Sequence, residues 1–201
     1  MERFAVKFFI ILTSIFLAGE IKAQVFNAGV GGGLNVSQVD GDGFSGYNKV
    51  GPAVGVFVNT FFSEFLAGQI EINYSAKGSR FRTTIEEPRY YRLALHYVEI
   101  PVLIKYCALS EIIIEAGLSG GYLFLAREED EFGQMPDTRD FRKTEFGAHM
   151  GTAYLFTENI SLGVRISYSI IPVRKHAGGG TYYFNRGQNN NVVSFTLHYQ
   201  F

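Results

Sequence analysis

Four histidines, His96, His149, His176 and His198, are the residues best suited to moving protons in this chain. A hydrolytic or lipid-modifying site needs one of them beside a Ser or Asp acting as nucleophile or base. None has such a neighbour at motif spacing. His149 and His198 fall on separate strand-like runs, and His176 follows Arg174 and Lys175 in a basic stretch. Gly29-Val30-Gly31-Gly32-Gly33 begins like a dinucleotide-binding loop, but Leu34 stands where the third fingerprint glycine belongs and no helical period follows. Asp40-Gly41-Asp42-Gly43 lacks the later carboxylates of an EF-hand. Cys107 is the sole cysteine, which excludes an internal disulfide and a C-x-x-C site. The sequence therefore gives no enzyme, no metal and no cofactor.

A second set of charged residues has a different logic. Glu71, Lys77, Glu99, Lys105, Glu115, Glu145, His149, Arg165 and His198 all occupy the polar face of runs whose other face is apolar. The clearest run is Asn159 to Ile171, where Ile160, Leu162, Val164, Ile166, Tyr168 and Ile170 alternate with Ser161, Gly163, Arg165, Ser167 and Ser169. Alternation at period two is a strand with two environments. In a soluble barrel the charges face water and the apolar residues fill the centre. Here charges of both signs point into one small space, and the apolar face takes the lipid. The carboxylates Glu71, Glu99, Glu115 and Glu145 are expected to meet Lys77, Lys105 and Arg165, because unpaired buried charge is costly.

Eight such runs position these residues: Gln24–Val36, Val50–Phe61, Leu66–Phe81, Arg92–Cys107, Glu111–Ala126, Lys143–Phe156, Asn159–Ile171 and a terminal run ending at Phe201. The breaks between them alternate short and long, as tight periplasmic turns and longer outer loops do. The fold class expected is all-β: an eight-stranded antiparallel up-and-down transmembrane β-barrel. Its last strand, Val193 onward, should pair with both the seventh and the first. Eight strands enclose an interior that side chains just fill. In the fourth run, Leu93, Leu95 and Tyr97 lie opposite in parity to Val98, Ile100, Val102 and Ile104, so a bulge near His96–Val98 is expected to restore the phase. Aromatics form two rings. Phe61, Phe62, Phe65, Tyr106, Phe156, Tyr199 and Phe201 lie toward the turns, and Tyr74, Tyr122, Phe124 and Tyr168 toward the loops.

Residues 1–23 read as a cleaved signal peptide, with Arg3 and Lys7 before the apolar run Phe8–Ala18 and Ile21-Lys22-Ala23 ahead of the cut. Residues 24–201 then form the barrel domain, exported to the outer membrane of a Gram-negative bacterium. Formal net charge is −1 for the whole chain. Removing Arg3, Lys7 and Lys22 with Glu2 and Glu20 leaves −2, which is no nucleic-acid footprint. Glu128-Glu129-Asp130-Glu131 reads as a solvated acidic loop. Arg174, Lys175, His176 and Arg186, with Tyr182, Tyr183 and Phe184, make the most distinctive outer loop. Cation and aromatic groups together suit contact with lipopolysaccharide or a surface partner. The other partners expected are outer-membrane lipid and the insertion machinery, with Tyr199 and Phe201 as the C-terminal assembly signal.

Tyr97-Val98-Glu99-Ile100-Pro101-Val102-Leu103-Ile104-Lys105-Tyr106 resembles the Y-x-E-x-P-x-L-x-K-Y segment of the Bacteroidetes outer-membrane β-barrel family labelled PorT-like. Glu71-Ile72-Asn73-Tyr74-Ser75-Ala76-Lys77-Gly78 and Gly117 to Tyr122 are similar to two further stretches of that family. The resemblance implies an outer-membrane protein, and the name-giving member implies secretion components as partners. It supplies no catalytic residues. The role read from the chain is non-enzymatic and structural or interaction-based, and the resemblance implies that it is accessory to secretion. The alternatives are a small passive channel, a lipid-modifying enzyme and, at the level of fold, a soluble lipocalin-like barrel.

Overall fold

The computed structural model describes residues 25–81, 89–135, 141–175 and 187–201. The strands are β1 Phe26–Asp40, β2 Lys49–Phe61, β3 Leu66–Phe81, β4 Tyr91–Cys107, β5 Ile112–Asp130, β6 Gly133–Gln134, β7 Thr144–Leu155, β8 Ile160–Ser169 and β9 Asn189–Gln200. Every pairing is antiparallel, and each of the long strands bonds to its neighbours in the chain. β9 bonds to both β8 and β1, with Gly29 opposite Gln200 and Asp40 opposite Asn189, so the sheet closes on itself. Eight strands make the barrel. The two-residue β6 only extends a hairpin from the outer end of β5. Closure leaves the barrel without a free edge, as lipid requires.

The seam between β1 and β9 is tight because β1 is rich in glycine. A Cβ at Gly33 would run into the Phe195 carbonyl. The turns at the other end are short, closed by bonds such as Phe62 N–H to Leu66 O at 2.8 Å and Phe156 N–H to Ile160 O at 2.9 Å. The Phe201 N–H reaches Ala28 O at 2.9 Å, which anchors the last residue on β1.

The outward face is apolar along every long strand. Ile70, Ile72, Val98, Ile100, Val102, Ile104, Leu118, Ile166 and Leu197 are all exposed. Apolar exposure on this scale is foreign to a soluble monomer and matches a lipid-facing band. No helix among the described residues is long and apolar enough to cross a membrane; the strands are the crossing elements.

Strand β4 departs from the expected phase. Leu93, Leu95, Tyr97, Pro101 and Leu103 are all fully buried. They keep one parity with Glu99 and face inward together. The register slips between His96 and Tyr97, but the extra residue is on β5: Tyr97 opposes Leu123, and His96 opposes Leu125. The bulge therefore leaves β4 in phase and re-aims the end of β5. The physical reason is a small apolar core inside the outer end of the barrel. Val39, Tyr91, Leu93, Leu95, Tyr97, Leu123, Phe141 and Val173 form it, with Phe44, Phe81 and Ala126 packed against it. A membrane barrel need not be polar throughout its lumen, and the apolar side chains of β4 are its plug.

Candidate functional site

The lumen is crossed by two layers of ion pairs. In the inner layer, Arg165 on β8 meets Glu71 on β3, through two bonds of 2.8 Å, and Glu115 on β5, through Nε at 2.6 Å. β8 and β3 stand four staves apart in a ring of eight, so Arg165 spans the lumen. Gln69 Nε2 and Asn73 Nδ2 donate to the same Glu71 carboxylate, each at 2.6 Å. Lys105 lies 3.7 Å from Glu115. In the outer layer, Lys77 Nζ donates to Glu99 at 2.5 Å and to Glu145 at 2.7 Å, and sits 4.4 Å from the Tyr97 ring centroid. Asn190 on β9 donates to the other Glu145 oxygen at 2.8 Å.

Lys77 is held by its neighbour Gly78. At φ 141° Gly78 occupies backbone space that a side chain would dispute with the Leu93 carbonyl. Its N–H donates to Ser37 Oγ at 3.0 Å, and the Ser37 hydroxyl reaches its carbonyl at 3.0 Å. This stitches β3 to β1 above the shortened end of β2.

A third layer closes the outer rim. Arg174 forms two bonds to Glu128 at 2.7 and 2.8 Å, donates to Gln188 at 2.8 Å and lies 4.1 Å from the Phe141 ring centroid. The Tyr91 hydroxyl donates to Glu128 at 2.7 Å. Burial opposes the charge on Arg174, but the paired Glu128 raises its pKa further. Asp42, in the β1–β2 loop, is pushed up by burial, against which the Ser79 and Phe44 hydrogen bonds pull.

Two expectations change here. Arg174, grouped above with a surface-contact loop, is buried and committed to Glu128. Glu128, grouped with a solvated acidic run, faces inward because the β5 bulge flips its parity. Lys175 is exposed. His176, Tyr182, Tyr183, Phe184 and Arg186 lie outside the described residues, as does the expected signal peptide. Tyr199 and Phe201 are exposed at the turn end, their rings 5.8 Å apart.

His149 lies between two serine hydroxyls. Its ring nitrogens lie 2.7 Å from Ser167 Oγ and 2.7 Å from Ser119 Oγ. That is the nucleophile–base contact which spacing in the sequence did not reveal, because Ser119 and Ser167 come from flanking strands. The site sits among the ion pairs, beside a cavity of about 50 Å³ lined by Glu71, Glu99, Arg165 and His198 among others. That space holds a water or two, not a substrate. Nearer the turns a larger cavity of about 260 Å³ is lined by Phe57, Asn59, Lys105, Cys107, His198 and Gln200 among others. His198 packs edge-on against Phe57, with centroids 5.6 Å apart. Among the described residues no group of three or more His, Cys, Asp or Glu could hold a metal.

Comparison with known proteins agrees with this architecture. The structure of Ail, the attachment invasion locus protein of Yersinia pestis, in complex with the heparin analogue sucrose octasulfate, superposes with a TM-score of 0.52. It is 13% identical, and the match covers 88% of this chain and 99% of that one. Neisserial surface protein A matches at a TM-score of 0.47 and 12% identity, over 88% of this chain and 97% of the other. No curated protein sequence matches. The likeness to Ail shows a shared barrel fold. The family described as outer membrane protein beta-barrel domain matches residues 22–174. Lipid-facing strands, a closed eight-stave sheet and this match place the protein in a Gram-negative outer membrane, and the chain belongs to the outer membrane protein beta-barrel domain family.

Proposed function

We propose that the protein is a non-enzymatic, non-conducting outer-membrane barrel that works as a structural or interaction partner, accessory to the secretion of surface proteins. One observation carries the filled-barrel part: Arg165 bridges opposite walls of the lumen, beneath an apolar plug. A lumen filled in this way leaves the outer loops and the lipid face as the surfaces for contact. The secretion role rests on the PorT-like segment Tyr97–Tyr106, whose Glu99 and Lys105 both belong to the lumen network. Residues 1–23 act as the signal peptide, so the mature protein starts at Gln24; Edman sequencing of the outer-membrane form reads this directly. Tyr199 and Phe201 serve as the assembly signal.

The test is a deletion strain with its secreted and surface proteins measured by mass spectrometry. Loss of a set of exported proteins, restored by the wild-type gene, is the expected result. An unchanged surface proteome contradicts the secretion role and leaves the barrel as a structural element.

The Ser119–His149–Ser167 contact is the observation that favours a second, enzymatic reading. Burial inside a filled lumen weighs against it. A fluorophosphonate serine probe should leave the folded protein unlabelled; labelling lost in Ser119→Ala would reverse that reading.

A further inference from the structure

We propose that the outer rim of β3, β4 and β5 is a binding site for the phosphate groups of a glycolipid in the outer leaflet, held by Arg80, Arg92 and Arg127. The site rests on the outer-membrane placement, not on the secretion role. Arg80 and Arg92 are direct register partners across β3 and β4. Arg127 opposes Ala94, two positions along β4 from Arg92, so it is the diagonal neighbour on the other side. All three are exposed on the outward face. Arg127 is there because of the bulge: the slip that turns Glu128 into the lumen turns Arg127 out.

Like charges directly opposed across strands repel. Arg92 has one nearby carboxylate, Glu129, at 3.9 Å, and this contact is half exposed. Among the described residues Arg80 and Arg127 make no ion pair. Three guanidinium groups against one carboxylate make a strong anion attractor, and guanidinium forks match phosphate oxygens.

The height selects a lipid. Just below lies an outward aromatic cluster in which Tyr74 and His96 share a 2.7 Å hydrogen bond and Phe124 lies 6.1 Å from Tyr74. Such rings mark the membrane interface. Arg127 is three residues beyond Phe124 and Arg80 six beyond Tyr74. At ~3.3 Å per residue and ~40° of tilt, the guanidinium groups sit about 8–15 Å above the girdle. That is the layer of phosphorylated headgroup sugars, with the acyl chains running down the apolar face of Val98, Ile100, Tyr122 and Phe124.

The test uses the full-length mature protein in detergent, with retention of phosphorylated lipid A read by native mass spectrometry. Wild type should hold lipid A bearing phosphate on both sugars. The triple variant Arg80→Gln/Arg92→Gln/Arg127→Gln should hold it about tenfold less well, and wild type should hold dephosphorylated lipid A equally poorly. Glu129→Gln, which removes the opposing charge, should hold it better. Arg142→Gln/Lys143→Gln/Lys175→Gln, with the same charge removed elsewhere, should match wild type. Full retention by the triple variant, equal loss in that control, or no gain in Glu129→Gln overturns the proposal. Displacement of the lipid by millimolar inorganic phosphate overturns the lipid assignment in favour of free phosphate. Fold is checked by the heat-dependent gel shift. Glu129→Gln keeps the proposal falsifiable if the triple variant fails to assemble, and none of these outcomes bears on the secretion reading.

Discussion

Arg165 holds two carboxylates, Glu71 on the opposite wall and Glu115 two staves away, so its loss is expected to be highly damaging to the lumen. Arg165→Met leaves Glu71 unpaired and Glu115 with only the 3.7 Å contact to Lys105. Removing one partner of a buried ion pair typically costs ~3–5 kcal/mol, whereas replacing the whole set with neutral groups costs far less. Urea unfolding in micelles should therefore show Arg165→Met well below wild type, and Glu71→Gln/Glu115→Gln/Lys105→Met/Arg165→Met close to it. Equal losses would mean that the network adds little beyond packing. Asp42 makes the opposite kind of prediction. Its carboxyl is raised in the folded protein, so its ionisation works against folding. The cost appears as pH rises through the ordinary carboxylate range, is complete above the folded pKa and is absent below the unfolded one. Asp42→Asn should raise the thermal midpoint at pH 7 and leave it unchanged at pH 3. These residues differ in how visible they are in the sequence. The carboxylates and cations of the lumen could be named because alternation assigns a face without any knowledge of partners. Which carboxylate meets which cation depends on stave positions across the ring, and Ser119 with His149 is invisible for the same reason.

At the scale of the strand, the β5 bulge decides the chemistry of the outer rim. One extra residue sends Glu128 inward to Arg174 and Arg127 outward to the membrane surface. Deleting Phe124 should restore simple alternation and break the Glu128–Arg174 pair. Arg174→Met breaks the same pair. The two changes should destabilise the barrel less in combination than the sum of their separate effects, since both remove one interaction. Strict additivity in thermal gel-shift midpoints would show that the bulge does not place Glu128. The eight strands and the pairing of β9 with β8 and β1 were legible because a period of two survives along whole strands, although β1 and β5 run past their expected ends to Asp40 and Asp130. The bulge was legible only as a phase conflict in β4. Parity alone cannot say which of two partner strands carries the extra residue. It was settled by packing: Leu93, Leu95 and Tyr97 gain more in an apolar plug than they would on the lipid face at this height, next to Arg92 and Arg127.

For the whole molecule, the inversion of polarity is what makes it a membrane barrel. Val102 stands on the lipid face in mid-strand and is well exposed. Val102→Arg at the bilayer midplane should cost ~2–4 kcal/mol in liposomes, and much less in a soluble barrel where that face meets water. The fold class was readable because eight runs agree with each other and with the alternation of short and long connections. Whether the lumen conducts was not readable, since a polar lining fits a filled barrel and a narrow pore alike. Three stacked layers support the filled barrel proposed above: the Arg165 bridges, the Lys77 cluster and the apolar plug beneath Arg174. Conductance of the purified full-length mature protein in planar bilayers tests this most directly. The filled barrel predicts no steady current at either polarity, while reproducible unit steps from the wild-type protein would contradict it.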